Sequence, residues 1–332
     1  MRRRDFLSTL GAASLGGLLP NGVRRWMGAG REDPPNIVMI LVDDLGWTDL
    51  GCYGNPLHDT PRLDQLAGAG ARFTNAYAAA PNCSPTRASL LTGQSPATTR
   101  ITDYIPGRDV PHAQFTPPEG RHELPASIPT LAERLQDVGY VSASVGKWHL
   151  GTGAALPSNR GFDVTVAPGQ QHQKSMFPPY GVPGLEKGGG YLTDRLSRAG
   201  ADFIRRYGDQ PFVLYLPHYA VHRPHEGKES LVAKYEKRLP NGATDRAVYA
   251  AMVEAVDQSV GRIVDTLREE DLFADTLFLF TSDNGPTDVS PPRPLRAGKG
   301  TIYEGGIRVP LIAAGAGVTP GTIETPVISH DL

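Results

Sequence analysis

The side chains able to do chemistry in this 332-residue chain fall into a few short polar clusters, and the most pointed of these opens at Cys83-Ser84-Pro85-Thr86-Arg87. Pro85 suits a first helical turn, where its missing N–H would be unpaired in any case, and Gly93 suits the left-handed stop beyond a last turn. Cys83 is therefore expected at a helix N-terminus. Free backbone N–H groups and the positive end of the helix dipole stabilise an anion there, with Arg87 one turn further on. The plain alternative is a buried cysteine beside a structural arginine.

Other clusters carry metal and proton chemistry. Asp43-Asp44 and Asp283-Asn284-Gly285 offer carboxylate and amide oxygens without a neighbouring cysteine or histidine, a set of hard ligands suited to calcium or magnesium rather than zinc. Either pair also reads as a helix cap or a turn. Gly146-Lys147-Trp148-His149 joins a compact positive charge to a group that can donate or move a proton near neutral pH. Pro217-His218-Tyr219-Ala220-Val221-His222-Arg223-Pro224-His225 adds three histidines. Gly298-Lys299-Gly300 flanks a lysine with glycines that let the backbone approach a ligand. Lys147 and Lys299 read otherwise as solvated charges.

The elements that must position these clusters are legible as apolar runs at Ile37–Val42, Val141–Val145, Phe212–Leu216 and Thr276–Thr281, alternating with helical patterns. That alternation predicts an α/β fold with a mostly parallel sheet covered on both faces by helices. Thr130-Leu131-Ala132-Glu133 is a capping box whose helix is expected to end at Gly139, and Thr244–Leu267 places Val248, Met252, Val256, Val260, Ile263 and Leu267 on one stripe. Each strand runs straight into a polar cluster. Sites in open α/β sheets form beyond the carboxyl ends of strands, so the clusters should converge. The stretches 104–129 and 168–190, rich in proline, glycine and histidine, are expected as long loops, with His172, Tyr180 and Lys187 as candidate substrate contacts.

The run Cys83-x-Pro85-x-Arg87 resembles the signature of the sulfatase family, whose cysteine is oxidised to formylglycine by a maturation enzyme. The likeness extends from Asn36–Asp44, through a second signature beginning at Gly139-Tyr140, to Gly298-Lys299-Gly300-Thr301. It implies an alkaline-phosphatase-like fold and a sulfuric ester hydrolase acting on a sulfated carbohydrate or aryl sulfate. It also implies one calcium ion bound by Asp43, Asp44, Asp283, Asn284 and the modified Cys83. Arg87, Lys147 and Lys299 would neutralise the sulfate, His222 would protonate the leaving oxygen, and His149 would assist release of sulfate. The neighbouring alternatives are a phosphatase or phosphonate monoester hydrolase of the same superfamily, and a non-catalytic binder of sulfated glycans.

A net charge of −2 gives no general attraction to nucleic acid or anionic membrane. Two cysteines, Cys52 and Cys83, do not make a disulfide framework, and Cys52 is expected as a small buried residue. Arg2-Arg3-Arg4-Asp5-Phe6-Leu7, ahead of a glycine-rich apolar stretch, resembles a twin-arginine export signal spanning residues 1–33 with its linker. The stretch is too short for a stable membrane span. A periplasmic or secreted protein follows, dependent on the export machinery, with Cys83 oxidised before export. Residues 34–332 are expected to form the catalytic domain, with the family's smaller C-terminal domain missing after Leu332.

Overall fold

The computed structural model describes residues 34–108, 114–115, 119–185 and 188–332. The export signal expected over residues 1–33, and Lys187, lie outside the described residues. In chain order the elements are β1 (Asn36–Val42), α1 (Pro61–Ala69), β2 (Ala71–Phe73), β3 (Ala76–Tyr77), α2 (Cys83–Thr92), α3 (Pro96–Thr99), α4 (Leu131–Gln136), β4 (Val141–Val145) and β5 (Val164–Val166). Then follow α5 (Leu192–Tyr207), β6 (Phe212–Pro217), α6 (Glu229–Glu236), α7 (Thr244–Glu269), β7 (Thr276–Ser282), α8 (Glu304–Ile307), β8 (Leu311–Gly315), β9 (Gly321–Ile323) and β10 (Val327–Ile328).

The eight-stranded sheet runs β5-β4-β6-β1-β7-β8-β2-β9. All pairings from β5 to β7 are parallel, whereas β8 is antiparallel to both β7 and β2. The sheet is therefore mixed but mostly parallel, as expected. Strand side chains alternate between faces. Val38, Ile40 and Val42 of β1 join a core with Leu196 and Ile204 of α5 and Met252, Val256, Val260 and Ile263 of α7. Met39 and Leu41 point the other way, into a core shared with Ala88, Leu90 and Leu91 of α2 and Ala132 of α4. Both faces are covered, so these strands read as continuous apolar runs.

Local signals act largely as the sequence implies. Thr130 and Glu133 close a capping box on α4. That helix stops at Gln136, three residues before the expected end, because Asp137 is its C-cap and Gly139 lies in the turn to β4 with φ +87°. Gly93 ends α2 in the left-handed conformation, its N–H bonded to the Ser89 carbonyl. The register of the central strands decides the rest. Ile40 pairs with Leu216 and Phe280, and Ser142 of β4 pairs with Val213 of β6, so β4, β6, β1 and β7 deliver their carboxyl ends side by side. No helix among the described residues is long and apolar enough to cross a membrane.

Candidate active site

Backbone hydrogen bonds continue past the strand ends and lock the polar clusters together. The Asp43 N–H donates to the Ala220 carbonyl at 2.9 Å, Val221 N–H to the Asp43 carbonyl at 2.7 Å, and Asp283 N–H to the Val42 carbonyl at 3.1 Å. Lys147 N–H donates to the Pro217 carbonyl at 2.8 Å. Gly146 permits that contact, since its φ is +132° and a Cβ there would stand 1.9 Å from the Pro217 oxygen. Lys299 comes from a loop instead. Its N–H donates to Pro286, and the next residue, Gly300, donates to Pro81 at the foot of α2, each at 2.9 Å.

Asp43, Asp44, Cys83 and Asp283 bring one ligand atom each within 4.8 Å of one another, and all four residues are buried. The Cys83 thiol lies 3.4 Å from Oδ1 of Asp43. Arg87 is enclosed completely and donates from Nε and Nη2 to Oδ2 of Asp283 at 3.0 and 2.7 Å, and from Nη1 to the Lys147 carbonyl at 2.9 Å. Lys147 pairs with Oδ2 of Asp43. Lys299 places its ammonium 2.6 Å from Oδ1 of Asp44 and 3.5 Å from the Cys83 sulfur. Asn284 donates its amide to Oδ1 of Asp44 at 2.8 Å.

Two acceptors are left over. Oδ2 of Asp44 and Oδ1 of Asn284 are buried and have no hydrogen-bond partner. A buried acceptor without a donor is costly, and two facing the same carboxylate cluster fit an oxygen-seeking cation. Asp44 also sits in the left-handed backbone region at φ +63°, as does His149 at φ +59°. Such residues store strain of order 1 kcal/mol and gather at functional sites.

At the mouth of α2, Asn82 is the N-cap but does not cap with its side chain, which instead donates to Asp103 at 2.7 Å. The first-turn N–H groups stay uncapped beside Cys83. His222 donates from Nδ1 to the Arg223 carbonyl at 2.7 Å, which leaves Nε2 toward Asp44, 3.7 Å from its Oδ2. His149 donates from Nε2 to the Ile105 carbonyl at 2.7 Å, and its Nδ1 is buried without a partner.

Charge and burial set the protonation states. Burial would raise Asp43, but Lys147, with His222, Arg87 and Lys299, holds its carboxyl well below the usual range. Burial and the Asp43 charge push Asp283 upward against the pull of Arg87. Burial, reinforced by Asp43, drives the Cys83 thiol well above its ordinary value, so at neutral pH the unmodified side chain is a thiol and a poor nucleophile. Burial also lowers His222 and His149, the latter aided by Lys147.

All ten residues singled out from the sequence meet here. The weaker candidates separate. His218 is buried against Ser259, 2.9 Å from its hydroxyl, and Tyr180 is a core residue whose hydroxyl donates to the Gly190 carbonyl. His172 is exposed and stacks on the His222 ring with centroids 5.1 Å apart. Cys52 is free and half-buried, forming no bridge to Cys83. Sequence reasoning missed the cleft above the cluster, a space of about 850 Å³ reaching Asp44, His222 and Lys299 and walled by Asn82, Arg108, Arg223 and Arg293. Adjacency to Cys83 and His222 was the available signal for Asn82 and Arg223.

A family model described as Sulfatase matches residues 35–332. The chain is 36% identical to N-acetylgalactosamine-6-sulfatase of Canis lupus familiaris over 336 residues, covering 92% of this chain and 60% of the relative. It is 35% identical to arylsulfatase A of Homo sapiens, covering 90% and 61%. Among solved structures, Ps i-CgsB in complex with k-i-k-neocarrahexaose superposes with a TM-score of 0.77 at 32% identity, over 90% of this chain and 70% of that one. The chain thus spans about 60% of the length of the curated relatives it matches.

Proposed function

The chain belongs to the sulfatase family, and on that footing we propose that it hydrolyses sulfate esters of a sulfated carbohydrate or an aryl sulfate. In this reading Cys83 is matured to formylglycine, and Asp43, Asp44, Asp283 and Asn284 hold one calcium ion. The observation that carries it is the pair of buried, unpartnered oxygens of Asp44 and Asn284 set among two more carboxylates and Cys83. An all-oxygen set around an empty acceptor pair suits a hard divalent cation.

A calcium ion held by Asp43, Asp44, Asp283 and Asn284 would supply Lewis-acid charge neutralisation, and a matured residue 83 would supply the nucleophilic hydroxyl chemistry. The other tasks belong to the chain's own side chains. Lys147, Lys299 and the uncapped turn of α2 present preset positive charge to a tetrahedral anion, so little reorganisation is needed as charge grows on the transferring group. Arg87 acts from behind, since its guanidinium is consumed by Asp283 and the Lys147 carbonyl and so orients both. His222 holds its Nδ1 proton on a carbonyl and keeps Nε2 on the site side, where a proton carried on Nε2 reaches the departing oxygen. Burial makes that proton easier to give up. His149, with Nε2 committed to Ile105, offers Nδ1 as a buried proton acceptor within the site, where it would assist release of sulfate.

Residues 34–332 act as the catalytic domain, residues 1–33 as the export signal, and a formylglycine-generating enzyme and the twin-arginine machinery are the partners that deliver active protein to the periplasm or beyond. A relative named N-acetylgalactosamine-6-sulfatase, and a similar structure solved in complex with k-i-k-neocarrahexaose, support a sulfated sugar as substrate. The test is release of nitrophenol from nitrophenyl sulfate and nitrophenyl phosphate by protein co-expressed with a formylglycine-generating enzyme. Sulfate ester turnover, abolished in Cys83→Ala with an unchanged circular dichroism spectrum and by exhaustive chelation, is expected. Turnover of the phosphate ester alone would replace this reading with a phosphatase.

A further inference from the structure

The wall of the cleft carries more positive charge than a single sulfate group can use. Arg108, Arg223 and Arg293 line it together with Lys299, and the acids among the described lining residues are Asp44 and Asp288. Lys299 is paired with Asp44 inside the cluster. Arg108 is partly engaged, 3.4 Å from Asp103 and donating to Asn82 at 3.2 Å. Arg223 and Arg293 are exposed, and neither makes an ion pair or side-chain hydrogen bond among the described residues. Thr287, also on the wall, keeps a buried hydroxyl oxygen without a partner.

These groups stand beside the cluster. Arg223 follows His222 directly, and its carbonyl is the acceptor for the His222 ring. Arg108 grips Asn82, the residue before Cys83. Arg293 belongs to the loop that runs on to Lys299. A substrate whose sulfate reaches the cluster must therefore lay its next ring or substituent along unpaired guanidinium groups. A planar guanidinium binds sulfate or carboxylate through paired, charge-assisted hydrogen bonds, and an unpaired one gains most from such a partner.

We propose that Arg223 and Arg293 form a second anion subsite, so that the preferred substrate carries a further sulfate or carboxylate beside the ester that is cleaved, with Arg108 also lining the cleft. The proposal rests on the sulfate-ester reading above and adds to it a requirement for a doubly charged sugar.

The test compares kcat/KM of the full, formylglycine-containing protein on matched pairs of hexose monosulfates and disulfates, with nitrophenyl sulfate alongside. A preference for the disulfate of about tenfold or more at low salt is expected, as one charge-assisted contact is worth that factor. In Arg223→Gln/Arg293→Gln the ratio should collapse toward unity through a rise in KM, and Arg223→Lys/Arg293→Lys should recover part of it. Added salt should shrink the ratio in the parent protein. An equal rate on both members of every pair, or a ratio untouched in the double Gln variant, overturns the subsite while leaving the sulfatase reading in place. No release from nitrophenyl sulfate or any sugar overturns both.

Discussion

Arg87 has no contact with water; it donates twice to the Asp283 carboxylate and once to the Lys147 carbonyl, and its Nη2 lies 3.7 Å from Oδ2 of Asp43. Removing one member of a buried ion pair leaves the other charge without compensation, which commonly costs about 3–5 kcal/mol. Arg87→Ala is expected to lose stability in that range, read from the urea midpoint, and Arg87→Lys to lose less because a charge remains. His218 makes the opposite point. It is a histidine in the middle of a motif-rich segment, yet it sits in the core with its pKa pushed down to about 3 by burial. An unfolded histidine takes up a proton near pH 6.5, so the folded state's contribution is whole above that pH and is lost as pH falls toward the depressed value. Relative to His218→Gln, the parent chain should therefore lose about 2 kcal/mol between pH 7 and pH 5. Equal losses in urea melts of both proteins would remove His218 from the account of acid sensitivity.

At the scale of elements, the site depends on what happens in the one or two residues after each strand. Gly146 turns the chain out of β4 with a backbone angle that side chains avoid, and it lets Lys147 bond across to the end of β6. Gly146→Ala combines a left-handed residue with a Cβ driven into the Pro217 carbonyl. A loss of about 2 kcal/mol or more in thermal or urea unfolding is expected, and the sulfate-ester turnover proposed above should fall as well because Lys147 is displaced. The same strand ends explain what was readable in the sequence. Ile37–Val42 and Phe212–Leu216 stand out because strands buried on both faces are continuous apolar runs, and polar residues follow each run directly. β8 was missed because Leu311–Gly315 is short and ends in alanine and glycine, and β2 and β9 are three residues each. The cleft was missed for a different reason. Arg108, Arg223 and Arg293 lie on separate loops, and no periodicity links residues that meet only after the sheet has formed.

For the whole molecule, the cluster is a concentration of like charge held in place by Lys147, Lys299 and Arg87. A cation that satisfies Asp44 and Asn284 binds the folded chain and finds no such site in the unfolded one, so it should stabilise by mass action, by about 2.7 kcal/mol at a hundredfold excess over its dissociation constant. Calcium is expected to raise the melting temperature of chelator-treated protein by several degrees, and Asp44→Ala to erase the rise. An unchanged melting curve in scanning calorimetry would show that the two lone oxygens are satisfied by something other than a metal.

Cys83 has 2% of its surface open to water and lies in the first turn of a helix packed under the sheet. A second protein that must seize this side chain finds it sealed once the domain has closed. The maturation proposed above would therefore have to reach residue 83 in the nascent or unfolded polypeptide, before this burial is complete. On that reading the fold would set a deadline for its own activation.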